Sequence, residues 1–134
     1  MGVTYLVDTN VISELSRREP DPGVLAWAGT VIRYAVSVIS VDEVFFGLAW
    51  RPNARVLAWM DGYFQRHEAL PISPVIARRA GELRGQLAAR GVVRHQADML
   101  IAATAQAHQL TLVTRNTRDF EHCGIGLLNP FSDA

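Results

Sequence analysis

Short apolar runs alternate along this chain with longer stretches whose apolar positions recur at helical spacing. Residues 3–7 (VTYLV) are β-branched, aromatic and apolar, which predicts a buried strand. A helix is predicted over 10–17. The breaker stretch REPDPG follows, in which Pro22 suits a helix start leading into 23–29. VIRYAVS (31–37) reads as a second strand. Helices are predicted over 41–50 and 54–68, separated by RPN, and LPIS (70–73) as a third strand. A long amphipathic helix over 75–90 ends at Gly91. An alanine-rich helix (95–108), a fourth strand (110–114) and a fifth (124–130) complete the pattern. Strands alternating with helices imply an α/β fold: a parallel sheet of four to five strands between helices, in one domain spanning 1–134. In such folds ligands bind beyond the C-terminal ends of the strands, where the strand order reverses. Asp8 closes the first strand and TRNTRDF follows the fourth, so both are placed at that rim.

Composition narrows the chemistry. Lys+Arg 13 against Asp+Glu 13 leaves no net charge, so bulk charge signals neither a nucleic-acid tail nor a polybasic membrane binder. No apolar run is long enough to span a bilayer, and the first residues lack a basic stretch followed by an apolar one. The expected location is cytoplasmic, without a membrane partner. The single cysteine, Cys123, excludes an intramolecular disulfide and a cysteine-based zinc site, and is expected to be a small packed side chain. Every basic side chain is arginine. The absence of lysine removes the P-loop lysine, a Schiff-base lysine, a Ser-Lys dyad and the lysine of phospho-acceptor receiver domains. No Gly-x-Ser-x-Gly elbow and no glycine-rich dinucleotide fingerprint occur.

Chain direction could gather Asp8, Glu43, Asp98 and Asp119 at one place. Each also has a local explanation. Asp8 could cap the helix that follows it. Glu43, three residues after Ser40, fits a capping box. Asp98 suits the first turn of its helix, and Asp119 a solvated loop. Taken together they point further. Asp98 lies in ADMLIAATA, apolar or small almost all round, so its helix is expected to pack on the sheet, where a carboxylate needs a partner. Converging carboxylates repel, and a divalent cation compensates them; oxygen-only donors favour Mg2+ or Mn2+ over zinc. The histidines (His67, His95, His108, His122) show no ligand spacing; His95 alone stands a turn from Asp98, and the others are expected at the surface.

YLVDTNVISEL, SVISVDEVFFGL, ADMLIAATA and LTLVTRNTRDFE, in this order and spacing, resemble the PIN-domain ribonucleases. The similarity covers nearly the whole chain and is greatest to the toxins of VapBC-type toxin–antitoxin pairs, in the FitB-like branch. The resemblance implies a three-layer fold and a metal-dependent endoribonuclease. By position, Asp8 and Asp98 match the principal metal ligands, Glu43 the third acid, Asn10 the polar residue beside the first, and Thr114 and Asn116 the polar pair after the fourth strand. Many relatives carry aspartate where Asn116 stands; here Asp119, three residues on, is assigned as the fourth acid, acting through a water. Implied partners are an RNA substrate, a VapB-like antitoxin whose basic side chain reaches the acidic site, and a second copy in a homodimer. Arg51, Arg94, Arg115 and Arg118 are candidates for holding RNA phosphates.

Two rival readings remain at this level: a PIN-like module that only binds RNA or antitoxin, and a flavodoxin-like phospho-acceptor using Asp8. The missing lysine and the lack of an Asp-x-Asp after strand one oppose the second. The segment holding Phe45, Phe46, Trp50, Trp59, Tyr63 and Phe64 is too aromatic for one small core, so part of it is expected to line a groove for the antitoxin.

Overall fold

A computed structural model describes residues 2–133. Its sheet is built from β1 (Tyr5–Val7), β2 (Ala35–Ser37), β3 (Ala69–Leu70), β4 (Thr111–Val113) and β5 (Leu127–Leu128), all parallel, in the spatial order β3-β2-β1-β4-β5. The helices are α1 (Thr9–Leu15), α2 (Pro22–Thr30), α3 (Val38–Trp50), α4 (Ala54–Arg66), α5 (Pro74–Ala89) and α6 (Gln96–Ala107). The predicted α/β architecture is therefore present, with strands shorter than the apolar runs suggested. Residues 31–34 and 71–73 lie outside the sheet although Val31, Ile32, Tyr34 and Ile72 are β-prone.

Alternation along the central strands separates two cores. Leu6 and Leu112 face one side, packed with Ile76, Leu83 and Leu87 of α5 and Met99, Ile101 and Ala102 of α6. Val7, Val36 and Val113 face the other, with Val11, Ile12, Val24, Val44, Met60 and Tyr63 from α1–α4. Helices thus cover both faces, as a parallel sheet requires. The alanines of α6 let its backbone approach α5 and the sheet closely; Ala102, Ala103 and Ala105 are fully buried. Gly91 ends α5 at φ +81°, a conformation that favours glycine, as the sequence predicted.

The helix boundaries depart from expectation at one consequential place. α3 begins at Val38, not 41, because Ser37 caps it by accepting from the Ile39 N–H at 3.0 Å. Ser40 is then inside the helix and fully buried, and the Ser40–Glu43 capping box does not form. His67 is not a surface residue: half-buried, it stacks between Tyr34 and Tyr63, with ring centroids 4.7 and 4.1 Å away. Cys123 is buried as expected. Among the described residues no helix is long and apolar enough to cross a membrane.

Candidate active site

The strand order reverses at β1: the chain moves outward through β2 and β3, then returns to β1's other side with β4. Val7 is in register with Val113, so the next residues, Asp8 and Thr114, emerge side by side from adjacent central strands. The Asp8 N–H donates to Val113 O at 2.9 Å, fixing that juxtaposition.

Asp8 is only 5% exposed, and both its carboxylate oxygens accept hydrogen bonds. Oδ1 accepts from the Thr9 N–H at 2.8 Å, so Asp8 does cap α1. Oδ2 accepts from Thr114 Oγ1 at 2.8 Å and from Asn10 Nδ2 at 3.3 Å. Asn10 also reaches Thr114 Oγ1 and accepts from the Arg115 N–H at 3.1 Å, joining the start of α1 to the loop after β4. The Asn116 N–H donates to Thr114 Oγ1, while its side chain is exposed. Burial raises the Asp8 pKa, the Thr114 and Thr9 hydrogen bonds lower it, and Glu43 and Asp119 raise it again; the net direction is up.

Asp98 occupies the first turn of α6, half-buried. Desolvation lifts its pKa from 3.8 to about 6, with further upward pushes from Asp8, Asp119 and Glu43 and a small opposing one from His95. The charges of Asp8, Glu43 and Asp119 therefore all bear on Asp98, although the four acids come from four separate stretches of chain. Asp98 forms no ion pair among the described residues. Glu43 is exposed on α3, with Oε1 held by Thr9 Oγ1 at 2.6 Å. Asp119 sits half-exposed in a 3-10 turn, Thr117–Phe120, where the sequence predicts a solvated loop.

The donor set suits a hard cation: carboxylate and hydroxyl oxygens, with a surplus of negative charge and no counter-ion at Asp98. Among the described residues, however, no three acidic, histidine or cysteine side chains form a ready-made metal cluster. Mg2+ is commonly held by only one or two carboxylates, its remaining positions filled by water.

The family model of the PIN domain matches residues 5–125, which takes in all four acids. The chain belongs to the PIN-domain family. It is 36% identical to the VapC ribonuclease Y4jK of Sinorhizobium fredii, an alignment covering 96% of this chain and 99% of that relative. The crystal structure of FitAcB from Neisseria gonorrhoeae superposes with a TM-score of 0.82 at 31% identity, covering 95% of this chain and 98% of that one. A toxin–antitoxin complex from Klebsiella pneumoniae superposes with a TM-score of 0.75 at 28% identity, covering 96% and 98%.

The arginines of this PIN domain do not all stand where a substrate would meet them. Arg115 pairs with Asp133 at 2.7 Å and lies over the Phe131 ring at 4.5 Å, so its guanidinium is engaged by the C-terminal residues. Arg94 donates to the carbonyl of Arg118 at 3.3 Å, and its Nε is buried without a partner. Arg51 stacks over Trp50 at the far end of α3 from Ser40. Arg118 is exposed beside Asp119. Sequence reasoning missed Thr9 and Ser40, whose hydroxyls meet at 2.8 Å between Asp8 and Glu43. Thr9 stood in plain view between Asp8 and Asn10, but nothing local marks Ser40 as its partner.

Proposed function

We propose that this PIN domain is a Mg2+-dependent endoribonuclease, with Mn2+ able to substitute, and the toxin of a type II toxin–antitoxin pair. The carrying observation is Asp98: a half-buried carboxylate without a counter-ion among the described residues, its pKa raised to about 6 by desolvation and by Asp8, Asp119 and Glu43. The ribonuclease name of the Sinorhizobium relative and the toxin–antitoxin complex from Klebsiella support the same reading.

Asp8 and Asp98 would hold the ion. When bound, Mg2+ supplies charge neutralisation, polarises a phosphoryl oxygen and lowers the pKa of a water. Thr114 and Asn10 keep the Asp8 carboxylate aimed by their bonds to Oδ2. Glu43, held through Oε1, has Oε2 to take the proton of the attacking water, and Asp119 orients that water. The water oxygen adds to phosphorus, the bond to the leaving ribose oxygen breaks and that oxygen takes a proton from solvent water, leaving a phosphate monoester on one fragment and a hydroxyl on the other. Arg118, exposed beside Asp119, is the rim cation best placed for a flanking phosphate.

The antitoxin surface narrows to the ridge of Phe46 and Trp50, 67% and 68% exposed with ring centroids 6.2 Å apart. Trp59 instead stacks on buried Tyr63 and belongs to the core. Asp42, one turn before Phe46, leads this ridge toward Glu43. An amphipathic segment lying on the ridge could thus present a basic side chain to the acids. A homodimer, combined with antitoxin in a hetero-oligomer acting in the cytoplasm, completes the proposal.

The test combines single-stranded RNA cleavage with thermal melting, each with and without millimolar Mg2+ or Mn2+. Wild type should cleave and melt higher with metal, and Asp98→Asn and Asp8→Asn should lose both responses. Metal-independent cleavage, or no melting shift together with no cleavage, overturns the proposal.

A further inference from the structure

The hydroxyls of Thr9 and Ser40 sit between acids from different elements. Thr9 begins α1, directly after Asp8, and its N–H donates to Asp8 Oδ1 at 2.8 Å. Its Oγ1 lies 2.6 Å from Glu43 Oε1 and 2.8 Å from Ser40 Oγ. Donor and acceptor roles follow from proton supply. The Thr9 hydroxyl donates to Glu43 Oε1, so its single proton is committed there. Thr9 Oγ1 then has only lone pairs left, and Ser40 must donate to it. Ser40 is fully buried, so its own hydroxyl cannot turn to bulk water instead. The result is a directed chain from Ser40 through Thr9 to Glu43, closed at its base inside α3.

We propose that Thr9 is a positioning residue, fastening the carboxylates of Asp8 and Glu43 at a set separation. The role assigned to Glu43 rests on the ribonuclease reading above; the fastening itself does not. Glu43 is exposed on a side chain with several rotatable bonds, and without an anchor it would sample many rotamers in water. Thr9 engages Oε1 and leaves Oε2 in one orientation. Because Thr9 is adjacent in sequence to Asp8, any movement of α3 relative to β1 is felt at both acids. The sequence alone offers no sign of this, since the bonds span 31 and 34 residues.

The experiment compares Thr9→Val, which keeps the side-chain shape and the backbone bond to Asp8, with Thr9→Ser, which keeps the hydroxyl. Side-chain 13C relaxation at Glu43 in the metal-free protein should report an ordered γ-carbon in wild type and Thr9→Ser and a mobile one in Thr9→Val. In RNA cleavage, Thr9→Val should lower kcat about tenfold with KM and the metal-induced melting shift little changed, and Thr9→Ser should recover to within about threefold. In a Glu43→Gln background Thr9→Val should add no further loss. Equal Glu43 mobility in all three proteins overturns the proposal, whether or not the protein cleaves RNA. So does a Thr9→Val loss that is undiminished in the Glu43→Gln background. Ordered Glu43 in wild type without any metal-dependent cleavage would sink the ribonuclease reading and leave the fastening standing.

Discussion

Thr114 Oγ1 donates to Asp8 Oδ2 at 2.8 Å, joining two buried residues 106 positions apart in the chain. Thr114 has no solvent exposure at all. Its hydroxyl is the donor that does most to stabilise the Asp8 charge against burial. Replacing it with valine keeps the volume and removes that bond. Thr114→Val should therefore cost about 1–3 kcal/mol of stability at neutral pH and raise the Asp8 pKa further. Denaturant melts of the two proteins check the first, and weaker metal-induced stabilisation checks the second. An unchanged midpoint and unchanged metal response would show that Asn10 and Thr9 suffice to hold Asp8.

Asp98 should make stability depend on pH in a defined direction. Its folded pKa of about 6 lies above the ordinary 3.8, so as pH rises the unfolded chain gives up this proton first. The metal-free fold therefore loses stability between about pH 4 and pH 6 and loses no more from this group above that. Asp98→Asn has no such loss. The variant should match wild type near pH 4 and melt higher at pH 7. Screening of a half-exposed group keeps the gap near 1 kcal/mol, roughly 3–5 °C. A variant melting below wild type at pH 7 without metal would mean that Asp98 is stabilised by a cation-like partner rather than strained.

Asp119 raises both Asp8 and Asp98 electrostatically yet stands half-exposed in its 3-10 turn. Under the proposed mechanism it acts on water rather than on the ion. Asp119→Asn should reduce RNA cleavage partially, about tenfold, while the metal-induced melting shift stays closer to wild type than in Asp98→Asn. Cleavage at the wild-type rate would transfer this role to Asn116, whose exposed side chain follows Thr114 by two residues.

The two tryptophans on α3 and α4 should separate binding from folding. Trp50 is exposed, so Trp50→Ala should leave the melting temperature nearly unchanged and weaken antitoxin binding at least tenfold. Trp59 stacks on Tyr63 at 4.8 Å, so Trp59→Ala should lower stability by about 2–4 kcal/mol. Calorimetric melting and titration with antitoxin measure both. Wild-type antitoxin affinity in Trp50→Ala would remove the ridge from the proposed interface.

Much of the fold was legible in one dimension because it rests on local chemistry. β-branched runs leading up to Asp8 and Thr114, Pro22 at the start of α2 and Gly91 after α5 carry their preferences wherever they stand. Asp98 was legible for a related reason: a carboxylate in an alanine-rich helix that packs on the sheet needs a partner, so its position alone raises the question of what compensates it. Tertiary structure decided what those residues touch. Ser37 took the α3 cap and turned Ser40 inward to Thr9, which no propensity scale registers, because both serines are equally good caps. Arg115 met Asp133 and Phe131 rather than open solvent, and Trp59 went to the core while Trp50 stayed outside. Those outcomes depend on chain segments separated by tens of residues arriving together. Sequence sets each residue's capacity for a hydrogen bond or an ion pair; only the packed sheet and its helices choose the partner.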